Sequence, residues 1–272
     1  MKVELLRVTE GGIRLVADAS KVSGVSSTRD AKEIIALNTD NDYSSVLEHI
    51  YFTFDISEIS VALSRELLEH RIASHTARST RYIEEKGFSY YLPEELEREG
   101  AAAAIYRDAM ECANAAYTKL RELGIAREQA RYVLPLALHT HYVVTMNVRS
   151  LINFFMLRLC VRAAPEIRAL AMHMYKICME EYPLIFSSVW CRGFTLGVCP
   201  ENEVRPKECP FKGILPKKRE IKVKFERQAK SIIEKELATY QKKKLIPFKV
   251  IKSSLNEYGR TRANSGRRSG SV

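Results

Sequence analysis

The stretch Glu69-His70-Arg71-Ile72-Ala73-Ser74-His75-Thr76-Ala77-Arg78-Ser79-Thr80-Arg81-Tyr82 gathers three arginines, two histidines and several hydroxyls into one short run. A guanidinium fork matches the oxygens of a phosphate in bidentate fashion, and hydroxyls can complete the shell. Arg71, Ser79 and Arg81 therefore read as a phosphate cradle. A solvated surface turn has the same composition, and the loop alone leaves the two readings even.

Other polar residues stand in apolar company. Asn153 and Arg158 interrupt Ile152, Phe154, Phe155, Leu157 and Leu159 on one predicted helix. Polar groups buried in this way need partners, which makes both residues ligand candidates. His49 sits at the entry to a predicted strand, and Glu66 and His70 share a helix face at i, i+4, where they can pair. His139 and His141 share one strand face, but no third ligand stands at a useful spacing, so strand surface is favoured over a metal. Cys191, Cys199 and Cys209 lie in a Gly/Pro-containing loop with no Cys-x-x-Cys pair; local packing is favoured over zinc, and no metal is assigned. Cys112, Cys160 and Cys178 fall inside apolar helical pattern as core thiols.

The elements that must position these residues follow from periodicity. Residues 2–17 alternate loosely around Gly11-Gly12 and predict two short strands joined by a turn, followed by a helix over Arg29–Asn38. β-Branched and aromatic residues predict a strand beginning near His49, and a helical face over Ile59–Arg71 runs out into the polar loop. Phe88–Pro93 reads as a short strand stopped by proline. A long helical region over Glu94–Leu123 ends at Gly124 as a C-cap. A helix over Ala126–Tyr132, a strand over Leu136–Met146 and helices over Leu151–Val161 and Pro165–Tyr182 complete the body, the last with proline in its first turn.

With 272 residues, 46% of them hydrophobic, the chain can bury a sizeable core. No apolar run reaches the length of a membrane span, and Met-Lys-Val-Glu-Leu-Leu-Arg at the start lacks the apolar run of a secretory signal, so a cytoplasmic protein is expected. The net charge of +10 is uneven: 18 Lys/Arg and 5 Asp/Glu lie from Lys212 onward, against 25 and 28 before it. The basicity thus belongs to the tail, where a helix over Phe225–Tyr240 precedes Lys242-Lys243-Lys244 and a Gly/Ser/Arg end expected to be disordered. Nucleic-acid contact through this tail is the minority reading, because charge alone is nonspecific and aromatic residues are sparse.

Several separated stretches agree on one family. Glu48-His49 ahead of Phe52-Thr53-Phe54, His70-Arg71 with Ser79 and Arg81-Tyr82, Ala130-Arg131-Tyr132-Val133-Leu134-Pro135, and Met146-Asn147-Val148-Arg149-Ser150 with Asn153-Phe154, Leu157-Arg158-Leu159 and Glu166-Ile167-Arg168 resemble the flavin-dependent thymidylate synthases in order and spacing. The resemblance runs from about Ser44 to about Cys199. It implies an α+β fold, an antiparallel sheet packed with long helices, over a domain of residues 1–215 followed by a basic extension over 216–272. It further implies a homotetramer with active sites between subunits. The implied reaction uses FAD, NADPH and methylene-tetrahydrofolate to place a methyl group on carbon 5 of dUMP and give dTMP.

Carried over position by position, His49, His70, Arg71, Asn147, Arg149 and Asn153 resemble the flavin contacts, and Ser79, Arg81, Arg131 and Arg158 the dUMP contacts. Arg158 and His49 are assigned the catalytic part. Arginines can clamp the phosphate and a polarised uracil carbonyl, while asparagine and histidine can serve the polar edge of the flavin. The signature Arg-His-Arg is here Glu69-His70-Arg71, the usual glutamine three residues earlier is Glu66, and the usual Asn-Glu before the serine is Thr76-Ala77. Beside a phosphate or a reduced flavin, each added carboxylate costs on the order of a few kcal/mol unless it turns outward or pairs, with Arg65 and Arg78 as candidate partners. Two alternatives therefore accompany the family's activity: a paralogue acting on another pyrimidine nucleotide, and a non-catalytic nucleotide- or nucleic-acid-binding protein.

Overall fold

Four segments pair into one antiparallel sheet, β1 (Lys2–Val8), β2 (Tyr51–Ser60), β3 (Ser74–Ala77) and β4 (His139–Asn147), in the order β1-β2-β4-β3, and alternation of apolar and polar residues marks β2 and β4. The computed structural model describes residues 1–41, 43–201 and 206–242; the Lys243-Lys244 pair and the Gly/Ser/Arg end lie outside the described residues. On β2, Phe52, Phe54 and Ile56 are buried while Thr53, Asp55 and Ser57 point the other way; on β4, Tyr142, Val144 and Met146 do the same. The period of two thus gives the sheet one packed face. A bulge between Ser57 and Ile59, with Glu58 at φ 56°, shifts the register so that Ile59 and Ser60 are both buried at the entry to the next helix.

The helices are α1 (Gly12–Val22), α2 (Ala31–Asp40), α3 (Val61–Leu68), α4 (Glu94–Arg98), α5 (Gly100–Glu122), α6 (Arg127–Ala130), α7 (Val148–Arg158), α8 (Pro165–Glu181), α9 (Pro183–Phe186), α10 (Arg192–Thr195) and α11 (Lys218–Lys242). Caps fix the two that matter most for the site. The Ser60 hydroxyl accepts from Leu63 N–H at 2.9 Å to open α3, and the Asn147 side chain accepts from Ser150 N–H at 2.8 Å to open α7. Glu166 at the start of α8 accepts from Ser60 N–H and Oγ at 2.7 and 2.5 Å, tying α3 to α8. The core is aromatic: Phe155 meets Phe154, Tyr175 and Phe186 edge-on, and Phe52 meets Tyr182 and Phe186 in the same manner. At the other end, Gly12 N–H donates to the Tyr182 hydroxyl at 3.1 Å, and a Cβ at Gly12 would stand 2.6 Å from that oxygen. A larger residue there would have to push the Tyr182 hydroxyl and the Ile50 side chain aside.

The α+β class and the antiparallel sheet are as expected; several elements differ. The second predicted strand of residues 2–17 is α1, because Ile13, Val16, Ala17 and Ser20 form a helical face once Gly11 has turned the chain at φ 63°. Phe88–Pro93 contributes only the isolated bridge Tyr90–Leu138, and the Glu94–Leu123 region breaks at Glu99, which leaves helical dihedrals. Gly124, at φ 83°, follows α5 as the C-cap pattern predicted. Met1–Arg219 forms one compact unit, which holds the sheet with α1 to α10. Among the described residues, no helix is long and apolar enough to cross a membrane.

Candidate functional site

Pairing of β2 with β4 sets Tyr51 opposite Asn147, so the start of α7 lies beside the turn that precedes β2. The turn leaving α3 reaches the same place. Between them lies a cavity of about 1070 Å³ lined by Glu69, His70 and Arg71 after α3, Asn147, Arg149 and Asn153 at the start of α7, Glu48 before β2, Asn38 and Thr39 on α2, and Ser188, Val189, Arg192, Thr195 and Leu196 around α10. Five of the six residues expected to face a flavin thus share one wall. The sixth, His49, ends the 3-10 turn Ser44–His49 as an exposed residue outside the lining, and its neighbour Glu48 takes the place in the wall.

Arg158 stands behind His70. Its Nε donates to His70 Nε2 at 3.1 Å, its Nη1 to Glu66 Oε2 at 3.0 Å and its Nη2 to the Glu66 carbonyl at 3.4 Å. Burial, with Arg158 and then His75 close by, holds the His70 pKa down to about 4, so the ring is neutral at neutral pH. Since Nε2 accepts from Arg158, the His70 proton sits on Nδ1. The His70 carbonyl in turn meets His75 Nε2 at 3.1 Å, and Phe154 meets the ring edge-on at 4.8 Å. At the mouth, Arg149 Nη1 donates to Glu48 Oε1 at 2.6 Å.

Ser79, Arg81 and Arg131 lie in and beside the segments that follow β3 and close α6, away from the cavity lining. Arg81 donates to Glu128 on α6 at 2.8 and 3.2 Å, Arg131 follows directly on α6, and the Ser79 carbonyl accepts from Tyr82 and Ile83 N–H. None of Ser79, Arg81, Arg131 or Arg158 lines the cavity. The cradle drawn from the spacing of Arg71, Ser79 and Arg81 is therefore not closed within one chain. β3 runs extended between Arg71 and Ser79, about 13 Å at ~3.3 Å per residue.

Of the added carboxylates, Glu66 has a partner the sequence did not offer and Glu69 has none among the described residues. Glu66 pairs with Arg158 rather than with Arg65 or with His70 directly, and Arg78 is held by the buried Glu85 through bonds of 2.8 and 3.2 Å. Glu69 stays in the cavity wall. His141 bonds to Asp55 at 2.8 Å and His139 to Ser89 at 3.0 Å, which places both in polar contacts on the sheet surface. All six cysteines are free thiols, and among the described residues no three of His, Cys, Asp or Glu gather as a metal site. Glu48 and Arg192 are lining residues that sequence reasoning passed over. Only Glu48 carried a signal, by adjoining His49.

The sequence model of the family described as thymidylate synthase complementing protein matches residues 4–184. The flavin-dependent thymidylate synthase of Nitratidesulfovibrio vulgaris is 38% identical over 190 residues, covering 67% of this chain and 78% of its own. The chain belongs to the flavin-dependent thymidylate synthase family. The enzyme of that name from Geobacter sulfurreducens is 40% identical over 184 residues, with 67% and 77% of the two chains covered, and that from Clostridium tetani is 34% identical over 230 residues, with 74% and 91% covered. The match to the family model stops short of the lining residues Ser188, Val189, Arg192, Thr195 and Leu196.

Proposed function

We propose that this family member makes dTMP from dUMP with a bound flavin, FAD, with methylene-tetrahydrofolate as carbon donor and NADPH as reductant. The observation that carries the proposal is the convergence of His70, Arg71, Asn147, Arg149 and Asn153 on one cavity. Its volume of about 1070 Å³ suits a dinucleotide-sized ligand, and its donors are of the kind a flavin needs. Asn153 and His70 present polar side chains to the ring edge, and the Arg71 guanidinium attracts phosphate. When bound and reduced by NADPH, the flavin would supply the two electrons that turn the transferred carbon unit into a methyl group.

The chain's own residues do the rest by placement and charge. Arg158, fixed by Glu66 and His70, is aimed by two bonded neighbours and keeps its positive charge for a uracil carbonyl whose electron density rises during attack. Neutral His70 accepts from Arg158 without competing for its charge. Arg81, Arg131 and Ser79 are the nucleotide contacts. A homotetramer in which those contacts on one subunit meet the cavity of another unites the two halves. The same proposal takes residues 1–215 as the synthase domain, 216–272 as an appendage and the cytoplasm as the place of action.

Two measurements test it. The purified protein supplied with FAD will show bound-flavin absorbance, and with dUMP, methylene-tetrahydrofolate and NADPH it will form dTMP; absence of flavin binding rejects the proposal. One observation favours a second reading, a paralogue for another pyrimidine nucleotide: Arg158 already carries a carboxylate, Glu66, where the family has glutamine. Turnover of dCMP in place of dUMP will identify that case.

A further inference from the structure

We infer that Arg192 supplies the cavity with the cation that Glu69 removes from it, and that Arg71 and Arg192 together hold the diphosphate of a dinucleotide flavin. The inference rests on the flavin reading of the cavity. The charged residues of the wall are Glu48, Glu69, Arg71, Arg149 and Arg192. Arg149 and Glu48, paired at 2.6 Å, together add no net charge to the wall, and Arg158, outside the lining, is bound to Glu66 and His70. Among the described residues, Arg71, Arg192 and Glu69 make no ion pair. Without Arg192 the two remaining charges, Arg71 and Glu69, cancel, and a dianionic diphosphate meets no net attraction. With Arg192 the wall regains two unpaired guanidinium groups, the number that Arg-His-Arg provides in the signature.

Arg192 stands on a built wall. α10 packs against α7, the Trp190 N–H donates to Thr195 Oγ1 at 2.9 Å, and Trp190 meets Tyr175 edge-on at 5.2 Å. A Cβ at Gly193 would lie 3.3 Å from Cys199 Cα and Cβ, and Cys199 N–H is bonded to the Pro216 carbonyl at 2.9 Å. The segment is thus pinned on both sides of Arg192, and it lies past the residues 4–184 that the family model matches. The backbone is fixed there while the Arg192 side chain is exposed, and its planar fork suits paired phosphate oxygens.

The test uses the full-length protein, titrated with FAD and with riboflavin, which shares the ring but has no phosphate. Arg192→Gln is expected to weaken FAD by about tenfold or more while leaving riboflavin unchanged. Adding Glu69→Arg to Arg192→Gln is expected to return FAD affinity to near the wild-type value. If Arg192→Gln does not fold, Arg192→Lys keeps the charge without the fork and is expected to show a smaller loss of FAD alone. Wild-type FAD affinity in Arg192→Gln, an equal loss of riboflavin, or no rescue by Glu69→Arg overturns the inference and leaves the flavin reading standing. A wild-type protein that binds neither ligand overturns both.

Discussion

The residues before and after β3 are held in opposite ways. Before it, His70 and its partners Arg158 and Glu66 form a half-buried set whose members each have bonded neighbours. After it, Arg81 pairs with Glu128 while both stay half-exposed, at 49% and 52% of their side-chain surface. An exposed pair of this kind contributes about 0–1 kcal/mol, so Arg81 can leave Glu128 for a phosphate at little cost. Arg158 cannot be moved without unpairing a carboxylate and a histidine. Two arginines assigned to one nucleotide are therefore physically different: one is a fixed support and the other a releasable clamp.

The largest test of that contrast is Arg158→Ala, which removes the fixed support. dTMP formation should fall by about 100-fold or more at saturating dUMP, and retained turnover breaks the distinction. Arg81→Ala should raise the KM for dUMP by about 10- to 100-fold and leave FAD affinity unchanged, as titration of the flavin will show. A loss of FAD in that variant would merge the two regions. Acid probes the support from another side. His70 is neutral in the fold because its pKa is lowered from 6.5 to about 4 by burial beside Arg158 and His75, with Glu66 across Arg158. Between those values the unfolded chain takes up a proton that the fold refuses. Stability is therefore full above about pH 6.5 and is lost as the pH falls toward 4. Thermal melts will trace this decline, and His70→Asn should flatten it. The smallest effect belongs to Glu128→Ala: less than about 1 kcal/mol in melts, with the KM for dUMP unchanged or lower.

Much of the cavity was legible in the residues themselves. Asn153 broke an apolar helix face and lies in the cavity wall, though exposed rather than buried, whereas Arg158 on the same helix meets Glu66 and His70 outside the lining. The one-residue accuracy of the α8 start at Pro165 and the C-cap at Gly124 came from backbone chemistry that tertiary packing does not override. What was missed lacked a local signal. β3 is three polar residues and an alanine on a sheet edge, indistinguishable from loop until β4 lies beside it. The partners of Glu66 and Arg78 are set by how α3 meets α7 and how the loop meets Glu85, and proximity along the chain pointed to nearer candidates. Arg192 entered the cavity from far downstream, where no periodicity marks it.

The strand order has a consequence during synthesis. β3 has one partner, β4, and Gly12 finds Tyr182 across 170 positions of sequence. The signature loop leaves the ribosome well before its template strand and stays unanchored until His139–Asn147 follows. A nascent chain halted between β3 and β4 exposes one edge of β2 and a loose run of arginines, and needs protection from aggregation until synthesis resumes.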